Sequence, residues 1–293
     1  MKKMLFVMNP NAGTRKANKV LTEILTVFNR SGYDVSVYVT AGPGDGKTVV
    51  AQRAKDVDIV VCCGGDGTFN ETVAGVLESG AETLLGYIPA GSTNDFANSL
   101  GLSTDPVEAA RRIAEGKPMA YDIGSFGGRY FTYVASFGAF TKTSYTTPQN
   151  IKNALGHTAY VLGGIQELSQ IHAIHGAFTV GDETVEDDFL FGAICNSTSL
   201  GGILTLDPKQ VDMSDGVFEL LLVRAPKDLA EIAECIQAVQ KQVYNCKMIT
   251  FRSASKIQVD MESGIPWTLD GEREEGHSRV TVENVHHAIK LVK

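Results

Sequence analysis

Five apolar residues in a row, Ile59–Cys63, run straight into Gly64-Gly65-Asp66-Gly67-Thr68, and a helical pattern over Phe69–Glu78 follows at once. A stretch rich in β-branched residues and free of polar alternation suits a strand covered on both faces, as in the middle of a parallel sheet. The surroundings repeat this arrangement. Strand signals at Met4–Met8, Asp34–Val39 and Thr83–Ile88 alternate with helical signals at Arg15–Arg30, Lys47–Lys55 and Asp105–Glu115. In the first helix Val20, Ile24, Leu25, Val27 and Phe28 carry the apolar period, and Gly32 sits where a helix stops. Such alternation predicts an α/β, doubly wound parallel sheet. Ligands of these sheets bind at the carboxyl ends of the strands. The loops after Met8, Val39, Cys63 and Ile88 are therefore the candidates.

Beyond Gly116-Lys117-Pro118 short strand-like segments dominate: Tyr121–Phe126, Tyr130–Ser136, Ala177–Val180, Asp188–Cys195, Val217–Val223, Met248–Arg252, Lys256–Met261, Arg279–Glu283 and Ala288–Val292. Helical stretches at Ala154–Ser169 and Leu229–Tyr244 interrupt them. This predicts a second, mainly antiparallel, sandwich-like domain, and divides the chain into residues 1–119 and 120–293. The acidic segment Asp182–Asp188 reads as a solvated hairpin turn. Acidic residues outnumber basic ones by 34 to 26, a net charge of -8, which argues against nucleic acid or anionic lipid held by bulk charge. No apolar run approaches the ~20 residues of a membrane span. Lys2 and Lys3 precede too short an apolar stretch for a signal peptide. Cys62, Cys63, Cys195, Cys235 and Cys246 are odd in number and contain no CxxC, so all five are expected to be reduced. The expectation is a soluble intracellular protein.

Three of the strand-end loops suit phosphate. In Gly64–Thr68 the glycines let the backbone approach a bulky anion, and the following helix offers N–H donors and a partial positive charge. Asp66 would repel phosphate there unless a cation intervenes or it grips a hydroxyl. Pro89-Ala90-Gly91-Ser92-Thr93-Asn94-Asp95-Phe96 adds small residues, hydroxyl and amide donors, and a second carboxylate at the same sheet edge. Two aspartates so placed commonly hold Mg²⁺ beside substrate phosphates. Asn9-Pro10-Asn11-Ala12-Gly13 is the third loop, with Arg15 and Lys16 nearby. A decoy stands between them: Ala41–Thr48, AGPGDGKT, is one residue short of the Walker A pattern. Ala41 replaces its first glycine and Pro43 removes a donor, so Thr40 and Gly42 are expected at the rim of a nucleotide site instead.

Taken together, NPNAG at Asn9–Gly13, GGDGTFNE at Gly64–Glu71 and IPAGSTNDFA at Ile88–Ala97 resemble the diacylglycerol kinase catalytic-domain family, which includes bacterial soluble lipid kinases, sphingosine kinases and ceramide kinases. GGDGT is shared with NAD kinases and phosphofructokinases; the NDFA segment is typical of the lipid kinases. The resemblance covers essentially the whole chain. It implies an N-terminal nucleotide domain similar to those of NAD kinase and phosphofructokinase, a C-terminal β-sandwich-like domain and an active cleft between them. It makes Asp66 and Asp95 catalytic-site carboxylates. It places ATP contacts at Asn9, Pro10, Asn11, Ala12, Gly13, Thr40, Gly64, Gly65, Asp66, Gly67, Thr68, Phe69, Asn70 and Thr93. Asp270-Gly271-Glu272 resembles the family's D-G-E turn, whose glutamate, here Glu272, is the general base. Asp212–Val217 resembles a structural Mg²⁺ loop, with the side chain of Asp215 and the carbonyls of Asp212 and Val217 as ligands. The implied reaction is ATP- and Mg²⁺-dependent phosphorylation of a lipid hydroxyl, diacylglycerol first. The implied partner is a lipid at the inner membrane face, met transiently from the cytoplasm; nucleic acid is not expected. Oligomeric state is left open, a homodimer included. The match is least informative between Thr141 and Asp187, where the lipid site is expected, and no terminal helix returning to the first domain is evident.

Two other readings stay open on the residues alone: a kinase of a soluble hydroxyl such as NAD, and a nucleotide-binding regulatory protein without turnover. Asp270-Gly271-Glu272 is also an ordinary turn, with Glu274 and Glu275 as competing bases, and Asp215-Gly216 an ordinary strand entry. His172 and His175 have metal-like spacing but no evident carboxylate or cysteine partners. His286 and His287 are expected to point to opposite faces of a strand. Trp267 is expected to pack in a core.

Overall fold

The first-half strands pair as their apolar runs require. In the computed structural model, which describes residues 1–139, 173–200, 204–244 and 246–293, β1 (Lys2–Met8), β2 (Tyr33–Val39), β3 (Ile59–Gly64) and β4 (Leu84–Pro89) form a parallel sheet in the order β4-β3-β1-β2. Every residue of β3 is buried, whereas β2 at the edge is mostly exposed or half-buried. The helices are α1 (Lys16–Lys19), α2 (Leu21–Arg30), α3 (Asp45–Arg53), α4 (Asp66–Ser79), α5 (Asp95–Ser99) and α6 (Pro106–Glu115). Alternate residues of β1 serve the two faces. Met4 and Phe6 pack with Ile24 and Phe28 of α2 and Ala110 and Ile113 of α6, while Leu5 and Val7 join the core that holds Val49 and Val50 of α3 and Phe69 and Val73 of α4.

Two helix boundaries differ from the periodic reading. The helix expected over 15–30 is divided at Val20, whose φ of −113° leaves the helical region. α4 begins at Asp66, three residues before the apolar period does, because Asp66-Gly67-Thr68 forms a first turn with no apolar residue to reveal it. α6 starts as predicted, with the Asp105 carboxylate accepting from the N–H groups of Val107 (3.1 Å) and Glu108 (3.0 Å).

The second half contributes β5 (Pro118–Phe126), β6 (Arg129–Phe131), β7 (Val134–Gly138), β8 (Ile174–Val180), β9 (Glu183–Cys195), β10 (Ser199–Leu200), β11 (Leu204–Thr205), β12 (Phe218–Arg224), α7 (Leu229–Gln240), β13 (Ile249–Ala254), β14 (Lys256–Met261), β15 (Trp267–Leu269), β16 (Glu272–Glu274) and β17 (Arg279–Val292). These strands pair antiparallel with one another, and an aromatic core lies among them. Trp267 is in that core as expected, its ring centroid 4.9 Å from those of both Phe126 and Phe137. The helix expected over Ala154–Ser169 and most of the segment expected to shape the lipid site lie outside the described residues. The acidic segment is not one turn. Only Asp182 belongs to it; Glu183–Asp188 run along β9, where Glu183 pairs with Arg252 (3.0 Å) and Asp187 with Arg224 (3.0 Å).

One strand joins the halves. β17 replaces the two strands predicted there, pairs antiparallel with β5 and β14, and ends parallel to β4 with Leu291 opposite Leu85. The return to the first half is thus made by a strand. The expected boundary near residue 119 falls inside β5, where Met119 lies opposite Leu291.

α3 crosses α4 at Gly75, where an added Cβ would lie 2.7 Å from the Lys47 carbonyl oxygen and 2.8 Å from Val50 Cβ. Gly75→Ala should lower stability by about 1–2 kcal/mol, because overpacking against backbone outweighs the gain of roughly 1 kcal/mol in helix propensity. A urea midpoint at or above that of the unaltered protein would show that the helices part freely.

Candidate active site

The carboxyl ends of the parallel strands hold their loops in register. Beyond the strands themselves the ladder continues: Asn9 N–H donates to Cys63 O (2.9 Å), Thr40 N–H to Met8 O (2.9 Å) and Ala90 N–H to Gly64 O (2.7 Å). The loops then touch. A Cβ on Gly91 would sit 2.6 Å from Gly65 Cα, and one on Gly13 would sit 2.4 Å from Ala90 O. Gly67 is different, because its nearest neighbour on that side is Glu272 Oε1 at 3.5 Å. Some of the glycines therefore serve loop-to-loop contact, while Gly67 faces the Glu272 carboxylate. Between them lies a cavity of about 390 Å³, lined by Asn9, Asn11, Ala12, Gly13, Thr40–Pro43, Gly65, Gly67, Thr68, Glu71, Gly91 and Glu272.

Asn9 is a strut within this edge. Its amide donates to Thr68 Oγ1 (3.0 Å) and its carbonyl oxygen accepts from Asn11 N–H (2.9 Å). Asn94, a left-handed residue (φ 53°), closes its own loop with both amide atoms on Gly91 (2.8 and 3.1 Å), so that side chain is not a free donor for phosphate. Phe69 corrects the expected set of ATP contacts. It is fully buried, stacked on Tyr87 at 4.3 Å, and its N–H donates to Gly65 O (3.0 Å) inside the helix.

The two aspartates meet. Asp66 opens α4 and Asp95 opens α5, and both are buried. Asp66 Oδ2 accepts from Asp95 N–H (3.1 Å) and Thr93 Oγ1 (3.4 Å), while Asp66 Oδ1 is buried without a partner. Asp95 Oδ1 accepts a short hydrogen bond from Ser199 Oγ, a partner that no sequence pattern marks. Burial and the Asp95 charge push the Asp66 carboxyl up to about 6. An orphaned, buried carboxylate oxygen beside a second carboxylate is the donor set a divalent cation completes.

Glu272 reaches this edge from the other half. The β15–β16 hairpin is pinned by Asp270, a left-handed residue (φ 51°) with a buried side chain. Its carboxylate accepts from the N–H groups of Thr132, Tyr133 (2.9 Å) and Val134 (3.1 Å), from Thr132 Oγ1 (2.8 Å) and from Asn70 Nδ2 (2.7 Å). Asn70 also donates to Tyr130 O (3.2 Å), so its amide ties α4 to the second half. Arg129 grips Glu272 Oε2 at 2.9 Å and also pairs with Glu274, which leaves Glu272 Oε1 over Gly67. Of the three neighbouring glutamates, Glu272 lines the cavity. Arg129 follows a glycine pair in a hairpin and carried no sequence signal.

The loop expected to hold Mg²⁺ lies on β5. Asp212 and Asp215 are exposed, Val217 is half-buried, and Gly216 N–H donates to the buried Asp122 (2.6 Å). Behind the loop stands Glu219, buried, with Oε2 unpartnered and its carboxyl pushed up to about 8 by burial and by Asp215 and Asp212. That crowding of anions fits a cation at the loop. The Walker-like segment is explained by Glu71, whose carboxylate accepts from Gly44 N–H (2.6 Å) and Gly46 N–H (3.1 Å) and so fills the N-terminus of α3 from within. His175 does have carboxylate partners, Asp188 (3.0 Å) and Glu186 (3.3 Å), contrary to expectation; His172 lies outside the described residues. His286 and His287 do not point to opposite faces: their rings stack 3.6 Å apart.

The chain is similar to known proteins along most of its length. Residues 3–126 match the diacylglycerol kinase catalytic domain, and residues 133–293 match the YegS C-terminal NAD kinase beta sandwich-like domain. The chain is 29% identical over 274 residues to a diacylglycerol kinase of Bacillus subtilis (strain 168), covering 93% of this chain and 90% of that one. It is 31% identical over 270 residues to a diacylglycerol kinase of Staphylococcus haemolyticus (strain JCSC1435), covering 91% and 81%. The crystal structure of a putative diacylglycerol kinase from Bacillus anthracis str. Sterne superposes with a TM-score of 0.84 at 24% identity, over 99% of this chain and 96% of that one, and shows the same fold. No helix among the described residues is long and apolar enough to cross a membrane.

Asp66 sets site chemistry against stability. Its folded pKa, about 6, lies above the ordinary 3.8. Ionisation is therefore harder in the folded state, and stability falls as pH rises through that interval. Asp66→Asn should raise the stability of the free protein by about 2–3 kcal/mol near pH 8, and the gain should vanish as pH falls from about 6 towards 4. Thermal unfolding across that range checks it; an unchanged or lower melting temperature near pH 8 contradicts the assignment.

Proposed function

Because the chain belongs to the diacylglycerol kinase family, and is thus a lipid kinase with an alcohol acceptor, we propose that it transfers the γ-phosphoryl group of ATP, with Mg²⁺, to the free hydroxyl of diacylglycerol, giving phosphatidic acid. The supporting observation is the meeting, at one sheet edge, of the glycine-lined cavity, the Asp66–Asp95 pair and Glu272 Oε1. The ATP phosphates would lie along the first turn of α4, facing its N–H groups and the partial positive charge of its N-terminus. Asn9, Asn11, Ala12, Gly13, Thr40 and Gly91 would wall the nucleotide in. Asp66 and Asp95 would hold Mg²⁺, which supplies charge neutralisation on the phosphate oxygens when bound. A second Mg²⁺ would rest on Asp215 and the carbonyls of Asp212 and Val217, in a structural role.

Glu272 would accept the proton of the attacking hydroxyl through Oε1 while Arg129 fixes Oε2. The hydroxyl oxygen forms the new bond to phosphorus, the bond from the γ-phosphorus to the bridging oxygen breaks, and ADP leaves. The protein contributes positioning and electrostatics, with no covalent intermediate. The lipid would be met at the inner face of the membrane from the cytoplasm. With a net charge of -8 that contact would be brief.

Labelled ATP with Mg²⁺ and a panel of dispersed lipids tests the substrate, and label on diacylglycerol is expected. Label on NAD or other water-soluble acceptors alone overturns the lipid assignment. Glu272→Gln should lower kcat by about 10²–10⁴-fold with ATP affinity nearly unchanged; near-full turnover removes Glu272 from the role of base. Arg129→Ala should cost less than Glu272→Gln and add nothing to it in the double variant. Additive losses would show that Arg129 acts elsewhere.

A further inference from the structure

His286 and His287 are brought to one side of β17 by the backbone. His287 has φ 51°, in the left-handed region, within the stretch between Val285 and Ile289 where the pairing with β5 shifts register. A non-glycine residue in that conformation persists only where its surroundings fix it. Opposite the two rings stands Asp122 of β5, with a fully buried side chain. Asp122 Oδ1 is 2.9 Å from His286 Nδ1 and accepts His287 N–H at 2.8 Å. Asp122 Oδ2 is held by Gly216 N–H (2.6 Å) and lies 3.4 Å from Asn284 Nδ2, which fixes the carboxylate. Ser214 closes the group from the neighbouring loop, its carbonyl oxygen 3.2 Å and its hydroxyl 3.3 Å from His287 Nε2.

We propose that Asp122, His286 and His287, with the Ser214 carbonyl, form a binding site for one divalent first-row transition ion of the Zn²⁺ class. One ligand atom from each of Asp122, His286 and His287 falls within 4.8 Å of the others. Ligands bound at about 2.0–2.1 Å in a tetrahedron stand roughly 3.3 Å apart, so an ion would replace the Asp122–His286 (2.9 Å) and His287–Ser214 (3.2 Å) hydrogen bonds and swing the stacked rings, now 3.6 Å apart, away from each other. Two imidazoles with a carboxylate favour Zn²⁺, Co²⁺ or Ni²⁺ over Mg²⁺, which prefers oxygen alone. The site is chemically distinct from the Asp212, Asp215 and Val217 set, although Asp122 touches that loop. The half-exposed His286 ring gives the ion a way in. Once bound, the ion fastens β17 to β5 and to the turn at Ser214, and so clamps the strand that links the two halves.

Metal-stripped full-length protein titrated with Co²⁺ under excess Mg²⁺ tests this, since Mg²⁺ saturates the oxygen-only sites. The expected result is one equivalent of Co²⁺ with the visible absorption of an imidazole-ligated ion, displaced by Zn²⁺, and a melting temperature raised by either metal. His287→Gly removes one ring at a position whose backbone glycine accepts, and should abolish both the absorption and the thermal shift while keeping the fold. His286→Gln leaves the backbone unchanged and should do the same. No Co²⁺ retained under Mg²⁺, a thiolate charge-transfer band that locates the ion on cysteine, or undiminished binding in both variants overturns the proposal.

Discussion

Loop-to-loop contact at the carboxyl edge of the parallel sheet is the constraint on which the site depends. Gly65 and Gly91 meet backbone to backbone, and Gly13 lies against Ala90. No side chain fits between them. The same close packing that excludes side chains lines up the strand-end loops and leaves a cavity beside the first turn of α4. A glycine-rich turn at a strand end is commonly read as a cradle for an anion. Here the cavity exists because its walls first pack on each other.

The burial of carboxylates follows a single logic with two outcomes. Asp270 is buried, which raises its carboxyl, but it is surrounded by donors that offset part of that cost, and its role is to hold a hairpin. Asp66 is buried with one oxygen unpartnered and a second carboxylate beside it, so its charge is left unresolved by the protein. The difference lies in the neighbours: three successive N–H groups at Thr132–Val134 face one, and a like charge faces the other. Hydrogen-bonded carboxylates such as Asp270 build the frame, whereas Asp66 and Glu219 each keep a buried oxygen without a partner.

Much of the fold was legible because burial leaves a periodic trace. β3 lacks alternation since both its faces are covered, and α2 and α6 show the helical period of one covered face. The first turn of α4 left no such trace, being built from Asp66, Gly67 and Thr68. β15 and β16, three residues each, are too short to show a period. The site was legible where its residues are contiguous and blurred where they are assembled in space. Arg129 and Ser199 reach their partners, and Glu219 its place behind the 212–217 loop, through tertiary contact. Asp122 is marked in the sequence as a lone acid within a largely apolar strand. The histidine pair departs from strand alternation because that rule assumes an extended backbone, and His287 is not extended. Phe69 belongs to the core although it stands inside the most informative motif.

The bond between Asn70 and Asp270 spans 200 positions of the chain, and β4 finds its outer neighbour only at Leu291. Closing so long a loop is entropically slow, and contacts of this separation form late. During synthesis at the ribosome, the parallel sheet can assemble from the first 90 residues while one of its margins stays without a hydrogen-bonded neighbour. That bare margin is a template for wrong pairing until β17 has emerged. The hairpin that carries Glu272 and the strand that covers β4 both belong to this late part of the chain, so one wall of the cavity and the cover of that sheet margin form at the same stage.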